Sequence, residues 1–144
     1  MMFELHTQLI KDSATLGDLT LSRVLLCNDA QYPWLILVPR RADIVELFQL
    51  TRLDQQQLLD EISAVSAALA GHFRADKMNV AALGNIVPQL HVHVIARFND
   101  DPAWPRPVWG QAPAQPYSDV ELERRVQELE ELLQPLGLQP ARAF

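Results

Sequence analysis

Residues 89–98 (QLHVHVIARF) set two histidines at alternate positions in an otherwise apolar segment. Side chains of a β-strand point alternately to its two faces, so the segment predicts one apolar face directed at a core. The other face would carry the polar side chains, which are Gln89, His91, His93 and Arg97. Imidazole is the side chain best suited to proton transfer and nucleophilic attack at neutral pH. The pair could therefore form a catalytic centre.

Two other interpretations of a bare His-x-His pattern remain open. The histidines could simply face solvent on a half-exposed sheet, which is the commoner outcome for such a pair. Two histidines on one strand face can also chelate zinc or copper. The remaining nitrogen and sulfur donors, His6, His72 and Cys27, lie at no diagnostic spacing from the pair.

Strands are predicted on both sides of a central helical region. Apolar residues rich in Leu and Val predict strands at 16–21 and 23–27, and the run WLILVP at 34–39 is typical of a strand buried on both faces. Further strands are predicted at 77–83 and 89–98, with Gly84 and Pro88 between them.

Three helices are predicted from capping residues and apolar spacing. One begins near Asp43, with Glu46 as a capping-box partner, and a longer one begins after Thr51. The last helix has Ser118 as its N-cap and Glu121 completing the capping box. The pattern as a whole predicts an α+β fold with a mainly antiparallel sheet.

Residues 100–117, here called the Pro/Trp segment, contain five prolines and both Trp104 and Trp109. Proline disfavours regular structure, while two tryptophans favour burial, so a packed loop is expected. The tryptophans could stack on a base or reach across a subunit boundary, although anchoring the loop is the commoner duty.

Composition excludes several classes of protein. The 144 residues are 49% hydrophobic and 21% charged, which is typical of one globular domain over residues 1–144. A net charge of −6 without a basic stripe disfavours a nucleic-acid partner. The sequence shows no apolar run of membrane-spanning length and no signal peptide, and its single cysteine fits a reducing, cytoplasmic location.

The histidine segment, read together with residues 24–40, 43–73 and 79–85, resembles the histidine triad (HIT) superfamily over roughly residues 20–98. By this resemblance His91 matches the family's nucleophile and His93 its third histidine. Gln89 stands in place of the first histidine, so the strict triad is broken. The loop before the segment is also short and poor in glycine by family standards.

The resemblance implies a nucleotide hydrolase or nucleotidyl transferase that forms a covalent nucleotidyl-histidine on His91. His93 would then donate a hydrogen bond to a phosphate oxygen or to the leaving group, and Gln89 would hold the geometry. No cofactor or metal is required by this scheme. The alternatives are a degenerate member that binds a nucleotide without turnover and, less favoured, a metal site on the His-x-His pair.

Four further residues are candidates for binding the substrate. Asn28 matches the family's asparagine near the ribose, while Asn79 and Asn85 could donate to phosphate from the polar loop. Arg97 could offset phosphate charge, although an ion pair with one of the chain's surplus carboxylates is slightly favoured. Family members usually pair through the long helix and an edge strand, so a homodimer is expected.

Overall fold

The computed structural model describes residues 2–142. Within them the chain forms a five-stranded antiparallel sheet in the order β1-β2-β3-β5-β4. The strands are β1 (Ser13–Asp18), β2 (Ser22–Cys27), β3 (Trp34–Pro39), β4 (Lys77–Ala81) and β5 (Val92–Arg97). The helices are α1 (Thr7–Asp12), α2 (Arg52–Phe73) and α3 (Asp119–Leu133), with 3-10 turns at Leu47–Gln49 and Gln134–Leu136. The α+β architecture is thus confirmed.

The long helix α2 lies across one face of the sheet. Its N-cap Thr51 accepts a hydrogen bond from the Asp54 N–H, as the sequence predicts. Buried Val65 and Leu69 pack with Leu37 of β3 and Val94 of β5, and helix α3 contributes to the same cluster. Burial of this apolar face holds α2 against the sheet.

A buried carboxylate of α2, that of Glu61, connects the helix to the sheet. Glu61 accepts hydrogen bonds from the backbone N–H groups of Leu21, at 2.7 Å, and Ser22, at 3.0 Å. The carboxylate thereby pairs backbone donors at the turn between β1 and β2, which would be costly to bury unpaired.

The helix predicted from Asp43 is wrong in extent. Asp43 has a φ of 59°, in the left-handed region, which does not continue an α-helix. Glu46 is itself the N-cap, and its capping box with Gln49 encloses only the 3-10 turn Leu47–Gln49. The predicted cap was therefore misplaced by three residues, and the apolar residues after it, Leu47 and Phe48, are exposed, so no buried apolar face extends the turn.

Further differences are a helix that was not predicted and the bounds of strands, since β1 is Ser13–Asp18 rather than 16–21. Helix α1 was not predicted, because six residues with one buried side chain, Leu9, carry too little periodicity. Strand β5 begins at Val92 rather than at residue 89, because its pairing with β3 starts where Leu37 faces Val92. Gln89 and His91 therefore precede the ladder.

Candidate active site

The alternation predicted around β5 is present in the structure. Leu90 and Val92 pack beneath α2 with Leu58, whereas Ile95 lies in a different cluster on the opposite face with Trp34 and Ile36. His91 and His93 share that second face, with ring centroids 5.0 Å apart. Each histidine is only 7% exposed, which shows that other parts of the protein cover this face as well. A half-exposed, solvated pair is therefore excluded.

The hydrogen bond of His91 fixes where its proton lies. Nδ1 of His91 lies 2.7 Å from the backbone carbonyl oxygen of Gln89. A carbonyl oxygen accepts and cannot donate, so Nδ1 carries the proton. In the neutral ring Nε2 then holds a free lone pair. Within residues 2–142 this nitrogen has no hydrogen-bond partner, and it is not among the fully buried unpaired atoms.

The hydrogen bond of His93 fixes the opposite tautomer. The indole N–H of Trp34 donates to Nδ1 of His93 at 3.0 Å. An indole nitrogen only donates, so Nδ1 accepts and the proton of neutral His93 lies on Nε2. Burial, and to a lesser extent the neighbouring His91, lowers the pKa of His93 to about 4. His93 is therefore neutral at pH 7 and offers an N–H at Nε2.

Aromatic side chains close the space around the two histidines. Trp109 lies edge-on to His93, with centroids 5.0 Å apart, and also contacts Trp34 at 5.8 Å. Buried Ala103 and Val108 of the Pro/Trp segment join the same cluster. The predicted packed loop is thus confirmed, and it forms a wall of the histidine site. Sequence reasoning assigned Trp34 only to a strand, so its bond to His93 was missed.

Gln89 is bonded to the N-terminal segment through its side chain. Its Oε1 accepts from the backbone N–H of His6 at 2.9 Å, and its Nε2 donates to the carbonyl oxygen of Glu4 at 2.8 Å. Gln89 therefore joins residues more than 80 positions away, while its backbone carbonyl orients His91. No chain-local pattern signals this contact.

A cleft opens beside Gln89. Its volume is about 570 Å³, which falls in the range of small-molecule sites, roughly 300–1,000 Å³. Two carboxylates, Glu4 and Asp43, are the titratable side chains in its lining. The remaining lining residues are Met2, Ala42, Ile44, Val45 and Pro88.

Arg97 and Asn79 lie on the same face of the sheet as the histidines, and Arg97 hydrogen-bonds to Asn79 and to two residues of the Pro/Trp segment. The Arg97 guanidinium donates to both carboxylate oxygens of Asp101, at 2.7 and 3.0 Å, and to Asn79 Oδ1 at 2.8 Å. A fourth bond reaches the Arg106 carbonyl oxygen. The expected ion pair with a carboxylate is thus present, and it ties β5 to the Pro/Trp segment.

Asp101 completes this buried network. Burial alone would raise its pKa, but hydrogen bonds from Arg97 and from the backbone N–H groups of Phe98 and Trp104 lower it. The carboxylate therefore stays charged opposite the guanidinium, and the pair is 2–3% exposed.

The two other predicted substrate contacts are Asn28 and Asn85. Asn28 follows β2, and its Oδ1 accepts from the Tyr117 N–H at 3.0 Å. Asn85 is exposed in the loop between β4 and β5, without a side-chain hydrogen bond to the described residues. Neither asparagine is hydrogen-bonded to His91 or His93 within residues 2–142.

Metal ligation is not favoured by the arrangement of donors. Among the described residues, no group of three or more His, Cys, Asp or Glu side chains is placed to hold a metal ion. The two histidine Nδ1 atoms are also engaged, one by a carbonyl and one by an indole.

None of the helices in residues 2–142 is long and apolar enough to cross a membrane.

Comparisons with known proteins identify the family of the chain. The model of the HIT domain family matches residues 8–100, more than half of the chain, and the chain belongs to that family. A histidine triad protein from Bradyrhizobium japonicum is 49% identical, with a TM-score of 0.86 over 94% of this chain and 98% of the other. One from Marinobacter aquaeolei is 50% identical, with the same TM-score over 94% and 96%.

More distant structures share the fold. A hypothetical histidine triad nucleotide-binding protein from Sulfolobus tokodaii superposes with a TM-score of 0.65 at 14% identity, covering 86% of this chain and 85% of that one. No curated protein matched the chain.

Proposed function

We propose that this chain is a nucleotide hydrolase or nucleotidyl transferase that acts through a covalent intermediate on His91. The observation that carries the proposal is the opposite tautomers of the two histidines. His91 presents a lone pair at Nε2, while His93 presents an N–H at Nε2 on the same face. A nucleophile and a hydrogen-bond donor side by side suit attack at phosphorus.

The first step would form a bond from His91 Nε2 to the α-phosphorus and break the bond from phosphorus to the leaving group. An anhydride leaving group departs as a phosphate anion, and an amine leaving group takes its proton from water. His93, neutral at pH 7, stabilises charge on a phosphate oxygen or the leaving group by hydrogen bonding rather than by giving up a proton.

The second step would restore the enzyme. The nucleotidyl-imidazole ring carries positive charge, which the Gln89 carbonyl stabilises through the Nδ1 proton. Water, or another acceptor, attacks the phosphorus and gives its proton to solvent, and His91 Nε2 leaves with its lone pair. The nucleoside monophosphate, or its transferred ester, is released.

Nucleotides are the substrate class proposed because the chain belongs to the HIT family and because a nucleotide-binding protein shares its fold. Asn28, Asn79, Asn85 and Arg97 are kept as candidate substrate contacts, although Asn79 and Arg97 would have to exchange their present bonds to one another.

The test is turnover of an adenosine 5′-phosphoramidate and of a diadenosine polyphosphate, with and without a chelator. Wild-type protein should release AMP in both conditions, and acid-quenched samples with α-labelled substrate should carry label on His91. His91→Ala should lower kcat about a thousandfold or more, equivalent to about 4 kcal/mol. Wild-type turnover by His91→Ala would refute the nucleophile assignment.

Other outcomes of the same test select the alternatives. Tight nucleotide binding without turnover or label would indicate a binding protein without catalytic activity. Loss of activity on chelation would indicate a metal-dependent site instead.

We also propose a homodimer formed through α2 and β4. Strand β4 is an edge of the sheet, and Val80 within it and Ile86 after it are exposed apolar residues. Leu53 and Leu59 are exposed on α2. Such residues mark an interaction surface when they are contiguous. Light scattering at micromolar concentration should give twice the monomer mass, and a monomeric mass would refute the dimer.

A further inference from the structure

The indole of Trp34 makes the one hydrogen bond that the side chain of His93 has within residues 2–142. Trp34 is 8% exposed and lies on β3, where residue 36 pairs with His93 in the sheet. Its ring packs edge-on to His93 and to Trp109, with centroids 5.7 and 5.8 Å away. The indole is therefore held in place from two sides, and its N–H direction is set by packing.

This bond determines which nitrogen of His93 can face a substrate as a donor. The indole N–H occupies Nδ1 and cannot accept a proton from it, so neutral His93 must carry its proton on Nε2. Without that donor, the neutral ring could place its proton on either nitrogen. A ring protonated at Nδ1 would direct a lone pair at Nε2 toward the phosphate and repel it.

We propose that Trp34 is a positioning residue that holds His93 as an Nε2–H donor for the reacting phosphate. This inference rests on the proposed function, since only a reaction at His91 gives the donor its use. Gln89 plays the complementary part on His91, through its backbone carbonyl. A carbonyl acceptor and an indole donor thus impose opposite tautomers on two histidines of the same strand.

The charged surroundings of His93 do not impose this tautomer. His91, on the same segment, is the titratable side chain that acts on it. The rings contacting it from β3 and from the Pro/Trp segment, Trp34 and Trp109, are uncharged. The orientation of the proton is therefore a consequence of the indole hydrogen bond.

The experiment compares Trp34→Phe with Trp104→Phe as a matched control. Both changes replace an indole by a phenyl ring, but Trp104 is partly exposed and its indole makes no hydrogen bond to the described residues. Its ring contacts the Arg97 guanidinium at 5.8 Å, a contact that a phenyl ring can also make. Long-range ¹H–¹⁵N spectra of the histidine rings report which nitrogen is protonated, independently of activity. Steady-state kinetics on the phosphoramidate substrate report the consequence.

In wild-type protein and in Trp104→Phe, His93 should show a proton on Nε2 and should stay neutral down to about pH 5. In Trp34→Phe, Nδ1 should become protonated in part, and the pKa of His93 should rise, because the unpaired nitrogen binds a proton more readily. The kcat should fall about three- to tenfold, the range that one lost hydrogen bond allows, with little change in KM.

Two results would overturn the inference. One is a Trp34→Phe protein whose His93 keeps its proton on Nε2 and its wild-type kcat. The other needs no variant and so survives a failure of Trp34→Phe to fold: a wild-type spectrum with the His93 proton on Nδ1. Absence of labelled His91 in wild-type protein would instead overturn the proposed function, while the tautomer measurement would stand by itself.

Discussion

Removal of the Gln89 side-chain hydrogen bonds should loosen the N-terminal segment and destabilise the fold by about 1–2 kcal/mol. The two bonds, at 2.9 Å to His6 and 2.8 Å to Glu4, contribute about 1 kcal/mol each. Both backbone groups are near solvent, so water replaces part of the loss. Gln89→Met keeps the length of the side chain and removes both bonds.

The assay is urea unfolding of wild-type protein, Gln89→Met and the control Gln127→Met. Gln127 is exposed on α3 and makes a single side-chain bond of 3.4 Å, so its replacement should change stability by about 0.5 kcal/mol or less. Amide exchange at His6 should accelerate only in Gln89→Met. Equal unfolding free energies for both variants would refute a stabilising role for the two Gln89 side-chain hydrogen bonds.

Gln89→His tests the departure from the family's triad. The sequence-based expectation is an intact fold with preserved or raised turnover, or a changed preference among substrates. The structure adds a cost, because a histidine ring attaches closer to the backbone and cannot make both bonds of the amide. We expect the fold to persist with about 1 kcal/mol less stability. Stability equal to wild type would show that the two bonds contribute nothing.

Acid should destabilise the protein through His93. Its pKa is about 4 in the folded state against 6.5 unfolded, so the unfolded chain binds more protons as pH falls from about 6.5 to 4, and about 3 kcal/mol of stability should be lost. Urea unfolding at pH 7 and pH 4 should show this loss in wild type and not in His93→Gln. An equal loss of unfolding free energy between the two pH values in both proteins would contradict it. Asp101→Asn should cost about 3–5 kcal/mol, because it leaves Arg97 buried with a neutral partner. A decrease of less than about 1 kcal/mol in the unfolding free energy, measured by thermal or urea unfolding, would contradict this prediction.

The sequence by itself determined the elements that depend on near neighbours. The caps at Thr51 and Ser118 were predictable because each bond spans three residues. Alternation around His91 and His93 follows from the two-residue period of an extended chain, which needs no knowledge of its partners. The family could be recognised from the same segment.

Only the tertiary structure decided what surrounds those side chains. Trp34 and His93 are 59 positions apart, and Gln89 and His6 are 83 apart, so no local pattern encodes either bond. The proton positions on the histidines depend on these partners. The ion pair of Arg97, by contrast, was anticipated from the surplus of carboxylates, and the structure identifies Asp101, four residues away, as its partner. Chemistry at this site is thus specified by strand order and loop packing, because those bring distant donors and acceptors within 3 Å of the rings.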